Sequence, residues 1–148
     1  MQVPKGNTLI EDEMLPYSDI NTMLANLVED GFTGYVKLDL QDSSGLLFYS
    51  EGNLVRAMEV DPASGSASVH LLPRLLNRVK NRDLAVSTYV TSAPIINVLG
   101  GLFAFQPLYL DYEVKRRELK KVLTDLESGE YSGIIKMASR EGTYFLLI

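Results

Sequence analysis

The sequence contains no cysteine and only one histidine. Without thiols, the chain cannot form disulfides, use a cysteine nucleophile or bind a metal through thiolates. The N-terminus has no basic stretch followed by an apolar one, so no secretory signal is recognised and a cytoplasmic location is expected. Acidic residues outnumber basic ones, and the net charge of -5 provides no overall attraction to nucleic acid or anionic membranes.

The residue patterns of catalytic and metal sites are also missing. His70 has no Asp/Glu-x-x-His or Ser-His-Asp pattern around it, and the acidic cluster 11–13 lacks the spacing of a calcium-binding loop. The glycine-containing stretches 64–66 and 100–101 belong to no phosphate-binding or dinucleotide-binding fingerprint, which favours ordinary turns. We therefore predict no catalytic, cofactor-binding or metal-binding residues, and no enzyme.

A helix is the first regular element that the sequence predicts. Ser18 is a typical N-cap residue, Asp19 falls in the first turn, and Gly31 occupies the position of a C-cap. Between them, apolar residues recur with helical spacing at Ile20, Met23, Leu24, Leu27 and Val28. Residues 1–16 before this helix read as an extended lead-in or as a single edge strand at Thr8–Ile10.

A three-stranded meander follows the helix. In the first strand Val36, Leu38 and Leu40 face one way and Tyr35, Lys37 and Asp39 the other, which predicts a half-buried strand. Further strands are predicted at Leu46–Ser50 and Leu54–Val60, joined by a tight turn at residues 51–53. Because the connections are short, neighbouring strands must pair antiparallel.

Helical spacing returns at Val69, Leu72, Leu76 and Val79, and Pro73 requires that the helix either begins near it or bends there. The next stretch, 84–110, contains no charged residue and is long enough to cross a membrane. Its prolines, glycines and polar residues lower its hydrophobicity, so we expect no membrane span. We predict instead a strand at Leu84–Val90, a short helix around Ile95–Leu99 and a strand at Leu102–Tyr112.

The C-terminal segment repeats the beginning of the chain in a shortened form. A helix is predicted at Glu113–Glu127, and its apolar positions match those of the first helix. The match continues at the same offset through Tyr131–Met137, which corresponds to Phe32–Leu38, and Gly142–Phe145 then lines up with Gly45–Phe48. A match that runs from a helix into a strand indicates a partial internal repeat.

Several motifs in the first repeat resemble the PATAN-type domain of bacterial signalling proteins. They are Thr33-Gly34 at the start of a strand, the Gly-Leu-Leu-Phe run of the next strand, the turn and strand at Glu51–Ala57, and the aromatic strand after Gly100. The resemblance covers about residues 18–107. It implies a non-catalytic module that accompanies regulatory domains and mediates protein interactions.

The predicted fold is α+β, with antiparallel meanders, helices packed on one side and a partial internal repeat. We divide the chain into a lead-in (1–16), a PATAN-like unit (17–111) and a partial repeat packed on that unit (112–148). We predict that the chain is a regulatory module that mediates protein interactions in a bacterial cytoplasmic signalling system. Its partner is expected to be another protein or a second copy of the same chain. The candidate interaction residues are those of the turn and nearby strand faces: Glu51, Gly52, Asn53, Arg56, Tyr35 and Tyr49.

Two alternatives remain open from the sequence. A small-ligand sensor would use an apolar pocket formed by the uncharged residues 84–110. A nucleic-acid role would require the basic residues 74–82 and 115–121 to share one face, whereas surface ion pairs with Glu113 and Glu118 explain the second group more simply. Because the strand tyrosines are better explained by packing on the sheet, we expect no nucleic-acid partner.

Overall fold

A computed structural model describes residues 6–101, 113–130 and 133–147 of the chain. The chain divides into two compact units, Met1–Phe103 and Ala104–Ile148. The elements of the first unit are β1 (Asn7–Leu15), α1 (Tyr17–Glu29), β2 (Gly34–Asp39), β3 (Ser44–Ser50), β4 (Asn53–Val60), β5 (Ala67–Val69), α2 (Leu72–Asn77), β6 (Leu84–Val90) and α3 (Ala93–Gly101). Those of the second unit are α4 (Arg116–Ser128), β7 (Ile134–Ser139) and β8 (Gly142–Leu147).

The first unit is built on a six-stranded sheet with the strand order β1-β6-β2-β3-β4-β5. Every neighbouring pair in this sheet is antiparallel. The meander β2-β3-β4 and the strand Leu84–Val90 lie where the sequence predicts them, because short turns and alternating apolar residues define them locally. The prediction of an α+β fold is confirmed.

Both faces of this sheet are covered. Ile20 of α1 and Leu75 of α2 pack with Val36 and Leu47 on one face. Ile96 and Leu99 of α3 pack with Tyr35, Phe48 and Met58 on the other face. The predicted packing of the helices on one side of the sheet therefore holds for α1 and α2, whereas α3 covers the opposite face. Strand β3 is apolar at consecutive positions from Leu46 to Tyr49, as expected for a strand buried on both faces.

Helix α1 begins at Tyr17 and follows Pro16, whose side chain offers no capping hydrogen bond. The predicted N-cap, Ser18, lies inside the helix and donates its hydroxyl to the neighbouring Asp19 carboxylate at 3.4 Å. The C-terminus is capped as predicted: Gly31 has a φ of 66°. The N–H of Phe32 donates to the carbonyl of Leu27 at 2.9 Å, which is the Schellman arrangement that favours glycine.

Two segments of the first unit differ from the prediction. Val69, predicted to begin a helix, ends the short strand β5, and α2 starts only at Leu72 with Pro73 in its first turn. Proline fits the first turn of a helix because no backbone donor is needed there. The edge strand predicted at Thr8–Ile10 is present but extends over Asn7–Leu15, so the lead-in forms part of the main sheet.

The second unit repeats the order helix, strand, strand in α4, β7 and β8. The pairing of the two hairpins differs, however. Leu38 pairs with Gly45 in the first hairpin, whereas the matching Met137 pairs with Tyr144 in the second. The tighter turn of the second hairpin allows pairing to continue up to Ser139 and Gly142.

The strand predicted at Leu102–Tyr112 lies outside the described residues. Among the described residues, no helix is both long enough and apolar enough to span a membrane.

Candidate functional site

Two of the predicted interaction residues lie in the core. Tyr35 is 3% exposed and stacks on Tyr89 with ring centroids 4.8 Å apart, and Tyr49 is 1% exposed on the other face of the sheet. Burial, with a smaller contribution from Tyr89, raises the pKa of Tyr35 to about 12, and burial raises that of Tyr49 to about 12. Since neither ring reaches the surface, both residues stabilise the fold. The exposed residues of the predicted set are Glu51 and Asn53 of the turn.

The turn at residues 51–53 is attached to the end of α1. Gly52 donates its N–H to the carbonyl of Phe32 at 2.8 Å, and Glu51 donates its N–H to Thr33 Oγ1 at 2.9 Å. Gly52 is buried, whereas Glu51 and Asn53 are exposed. The amide of Asn53 donates to the carbonyl of Glu51 at 3.2 Å. The turn residues therefore mainly hold β3 and β4 against the helix.

Arg56, the last predicted interaction residue, connects β4 to α3. Its Nε donates to the carbonyl of Gly100 at 3.2 Å, and the side chain is half-buried. A Cβ added at Gly100 would lie 3.2 Å from Val55 Cγ1, so the helix end lies closely against the strand. Since this guanidinium satisfies a carbonyl at the end of a helix, its contacts are those of a structural residue.

A polar cluster around Glu59 has a composition that could suggest chemistry. Ser43 and Arg78 both donate to one carboxylate oxygen of Glu59, and His70 Nε2 lies 3.5 Å from the other. The hydrogen bond from Ser43, followed by that from Arg78, lowers the pKa of Glu59. Ser68 Oγ also contacts His70 Nε2, at 2.9 Å.

This polar cluster cannot act as a Ser-His-acid relay in the geometry observed. A relay uses one imidazole nitrogen for the serine and the other for the acid. Here Ser68 and Glu59 both approach Nε2 of His70. The cluster instead ties the ends of β4 and β5 to the residue that follows α2.

A groove between β1 and α1 is the strongest candidate for a binding surface. It is a shallow depression, open to solvent, with a volume of about 330 Å³. Its apolar lining comes from both elements, and acidic side chains lie at its rim. The lining residues are Ile10, Glu13 and Leu15 of β1 and Asp19, Thr22, Met23, Asn26 and Leu27 of α1.

Irregular pairing of β1 places its three lining residues on one face. Ile10 pairs with Thr88, Glu13 with Val86 and Leu15 with Leu84, with a register shift between Ile10 and Glu13. The extra residue is Asp12 or its neighbour; Asp12 has a φ of 48°, and its N–H donates to Ser87 Oγ at 2.9 Å. Because a bulge reverses the alternation of side chains, residues at odd spacing share a face. Sequence alternation alone could not identify this groove.

The groove combines incomplete packing with carboxylates that pair with no described basic residue. Leu15, Met23 and Leu27 pack against the core but stay partly exposed. No basic residue of the described ranges lies within ion-pair distance of Glu13 or Asp19. The helical spacing of apolar residues in α1 predicts Met23 and Leu27 as core residues. That spacing does not indicate that part of each side chain lines a groove.

A second cavity, of about 500 Å³, is lined by Met14 of β1 together with residues of the segments 39–42 and 82–85, and its lining is mixed polar and apolar. Its polar groups largely bind each other: Arg82 donates to Gln41 Oε1, and the N–H of Gln41 donates to Asp39 Oδ1 at 3.0 Å. Across residues 6–101, 113–130 and 133–147, no group of histidine and acidic side chains is arranged to hold a metal ion.

The basic residues of α4 belong to the second unit. Lys115, Arg116, Arg117, Lys120 and Lys121 are all exposed. Arg117 lies 4.0 Å from Glu118, as predicted for a solvated helix face.

The comparisons with known proteins concern mainly the first unit. Residues 1–92 of the 148-residue chain match the model of a family described as "Uncharacterized protein conserved in archaea (DUF2226)". Searches of curated proteins and of solved structures gave no match. The resemblance to the bacterial PATAN-type domain is therefore wrong, because the motifs that suggested it are turn and strand residues that unrelated meanders share. The chain belongs to the archaeal DUF2226 family.

Proposed function

We propose that this chain is a non-catalytic protein-interaction module and that the groove between β1 and α1 is its docking surface. The observation that carries the proposal is the joint presence, at one edge of the sheet, of partly exposed apolar side chains and of carboxylates that form no ion pair with a described residue. Apolar surface rimmed by polar groups is typical of sites where proteins bind each other. The bacterial signalling context is not part of the proposal, since the family is conserved in archaea.

The structure offers less support for the small-ligand sensor. Tyr89, Ile96 and Leu99, from the described part of the uncharged segment, pack in the core. Of the two cavities described above, the polar one is lined by Leu84 and Ala85 from the described part of that segment, and the groove between β1 and α1 is lined by none of its described residues. Ligand binding, the absence of nucleic-acid binding, the absence of enzymatic activity and the cytoplasmic location stay predictions.

A display library of random peptides about twelve residues long tests the proposal, because it presents many binding modes at once. The library is selected on the whole wild-type chain, and each binder is then measured on the Asn26→Trp variant. Asn26 is exposed and lines the groove, so the indole would fill the groove without disturbing the core. We expect binders whose affinity falls about ten-fold or more on this variant.

Asn21→Trp is the matched control, because Asn21 is exposed on the same helix but does not line the groove. It should leave the affinity unchanged. If every selected binder tolerates Asn26→Trp, or if both variants reduce binding equally, the groove is not the docking surface and the proposal fails.

A further inference from the structure

Strand β1 lies at the edge of the sheet formed by the described strands. It pairs with β6 on one side, and no other described strand pairs with it. Along an edge strand, every second residue directs its backbone N–H and C=O groups outwards, where they can pair with another chain. The groove runs beside this edge, with α1 as its far wall.

A segment that paired with this edge would present alternate side chains to the groove, since side chains alternate between the two faces of a strand. Those side chains would lie against Ile10 and Leu15 from β1 and against Met23 and Leu27 from α1. The neighbouring carboxylates, Glu13 on β1 and Asp19 on α1, are exposed, and neither forms an ion pair with a described residue, so both are accessible to a cationic side chain.

Charge determines which occupant fits. Three consecutive acidic residues, Glu11, Asp12 and Glu13, lie on β1. Two copies of β1 paired edge to edge would bring these carboxylates together, which disfavours a symmetric dimer through this edge. A basic segment would instead gain favourable contacts with Glu13 and with Asp19 of α1.

The bulge limits how such a segment can pair. Asp12 turns its N–H inwards to Ser87 Oγ, and Ser87 in turn donates to the Asp12 carboxylate at 3.1 Å. A second register shift lies between Thr8 and Ile10, so regular pairing with β6 is confined to two short stretches, Asn7–Thr8 and Glu13–Leu15. Aggregation usually requires a long, flat edge strand, and the irregular β1 does not offer one.

We propose that β1 accepts an extended segment of a partner protein as an additional strand. The alternate residues that face the groove would include both apolar side chains, against Ile10 and Leu15, and lysine or arginine, against Glu13 and Asp19. This inference rests on the proposed function and specifies the chemistry of the partner. Main-chain hydrogen bonds would provide the affinity, and the groove and its carboxylates would select the sequence.

The probe for the test, called the lysine-valine peptide, is capped and about eight residues long, which is the length of an ordinary strand. Valine and lysine take turns at every second position and threonine fills the others, so that both valine and lysine face the groove. The glutamate-valine peptide has the same pattern with glutamate in place of lysine.

The lysine-valine peptide is added to the whole chain, and the glutamate-valine peptide is the comparison. We expect the lysine-valine peptide to bind about ten-fold more tightly or better, and its affinity to fall as the salt concentration rises. The double variant Glu13→Gln and Asp19→Asn should weaken this binding about three- to ten-fold. The control Glu29→Gln, on an exposed residue outside the groove, should not.

Amide hydrogen exchange distinguishes strand addition from other ways of filling the groove. Bound peptide should slow the exchange of the outward N–H groups of Asn7–Leu15, because strand pairing engages them. If the lysine-valine peptide does not bind, or if the glutamate-valine peptide binds equally well, the inference is overturned.

Further outcomes separate this inference from the proposed function. If library peptides depend on Asn26 but leave the β1 amides unprotected, as a helix in the groove would, the docking surface stands and strand addition is wrong. Dimerisation of the chain through β1, seen by sedimentation and slowed β1 exchange without peptide, would also overturn the choice of a basic partner.

Discussion

Gly52 illustrates how a single residue joins the β3-β4 turn to α1. Its φ is 77°, a region that side chains with a Cβ rarely adopt. A Cβ built at this position would lie 2.4 Å from the carbonyl oxygen of Val28 and 3.2 Å from Gly31 Cα. Both neighbours are backbone atoms at the end of a helix, so they cannot move aside as a side chain would.

We expect Gly52→Ala to lower the free energy of unfolding by about 3 kcal/mol, from backbone strain and collision together. Gly65 provides the matched control, because its φ is 67° and a Cβ there would meet nothing within 4 Å. Gly65→Ala should therefore cost only the strain, about 1 kcal/mol. Urea denaturation followed by far-UV circular dichroism measures both, and equal losses would show that the close contact at Gly52 does not matter.

The hydrogen bonds of Glu59 make a pH-dependent contribution to stability. Its pKa is lowered from the ordinary value of 4.5, mainly by Ser43 and then by Arg78. The folded state therefore favours the carboxylate, so the stabilisation is complete above pH 4.5 and is lost as the pH falls through the lowered pKa.

We expect Glu59→Gln to lower the free energy of unfolding by about 1 kcal/mol at pH 7. The difference from wild type should shrink as the pH falls below 4.5, because the carboxylate of the unfolded chain takes up a proton there while the folded state, with its lowered pKa, still favours the charged form. Chemical denaturation at a series of pH values measures this. Glu29→Gln, an exposed control on α1, should change the stability by less than about 0.5 kcal/mol. A difference at Glu59 that stays constant down to pH 3 would contradict this assignment.

Among the elements, α3 determines how much of the second sheet face is buried. The sequence assigned Tyr35 to a polar face because Lys37 and Asp39 share that face of β2. In the structure Tyr35 lies on the sheet face that α3 covers and is buried there, while Lys37 and Asp39 remain exposed. Alternation along a strand shows which residues share a face, but it cannot show where a helix from a distant part of the chain will pack.

Ile95 and Ile96 give a matched pair for testing this role of α3. Ile96 is 0% exposed and Ile95 is 38% exposed. We expect Ile96→Ala to lower the free energy of unfolding by about 3 kcal/mol, through lost burial and the cavity left behind. Ile95→Ala should cost less than about 1 kcal/mol. Similar losses in urea denaturation would mean that α3 does not seal the second face.

The same comparison of elements shows what the sequence can predict. The bounds of β6 and the start of α2 near Pro73 follow from local signals, namely apolar runs, turns and proline chemistry. The bulge in β1 follows from pairing with β6 and from the contact of Asp12 with Ser87, which lies far away in the sequence. The candidate groove depends on that bulge, so it could not be predicted from the order of residues alone.

For the whole molecule, the family match and the structural division agree only in part. The match covers residues 1–92, whereas the first compact unit runs to Phe103 and includes α3. Strand β1 and helix α1 both lie within the matched residues. The proposed docking groove is therefore formed entirely by the part of the chain that carries the family similarity.

The central claim is that partners bind in the groove between β1 and α1 and not at the turn that the sequence suggested. The most direct test is a ¹⁵N–¹H correlation spectrum of the labelled whole chain, recorded while a library-selected peptide is added. We expect the largest shift changes at Ile10, Glu13, Met23 and Leu27, which line the groove. Shift changes confined to Glu51–Arg56, with those four amides unaffected, would contradict the claim.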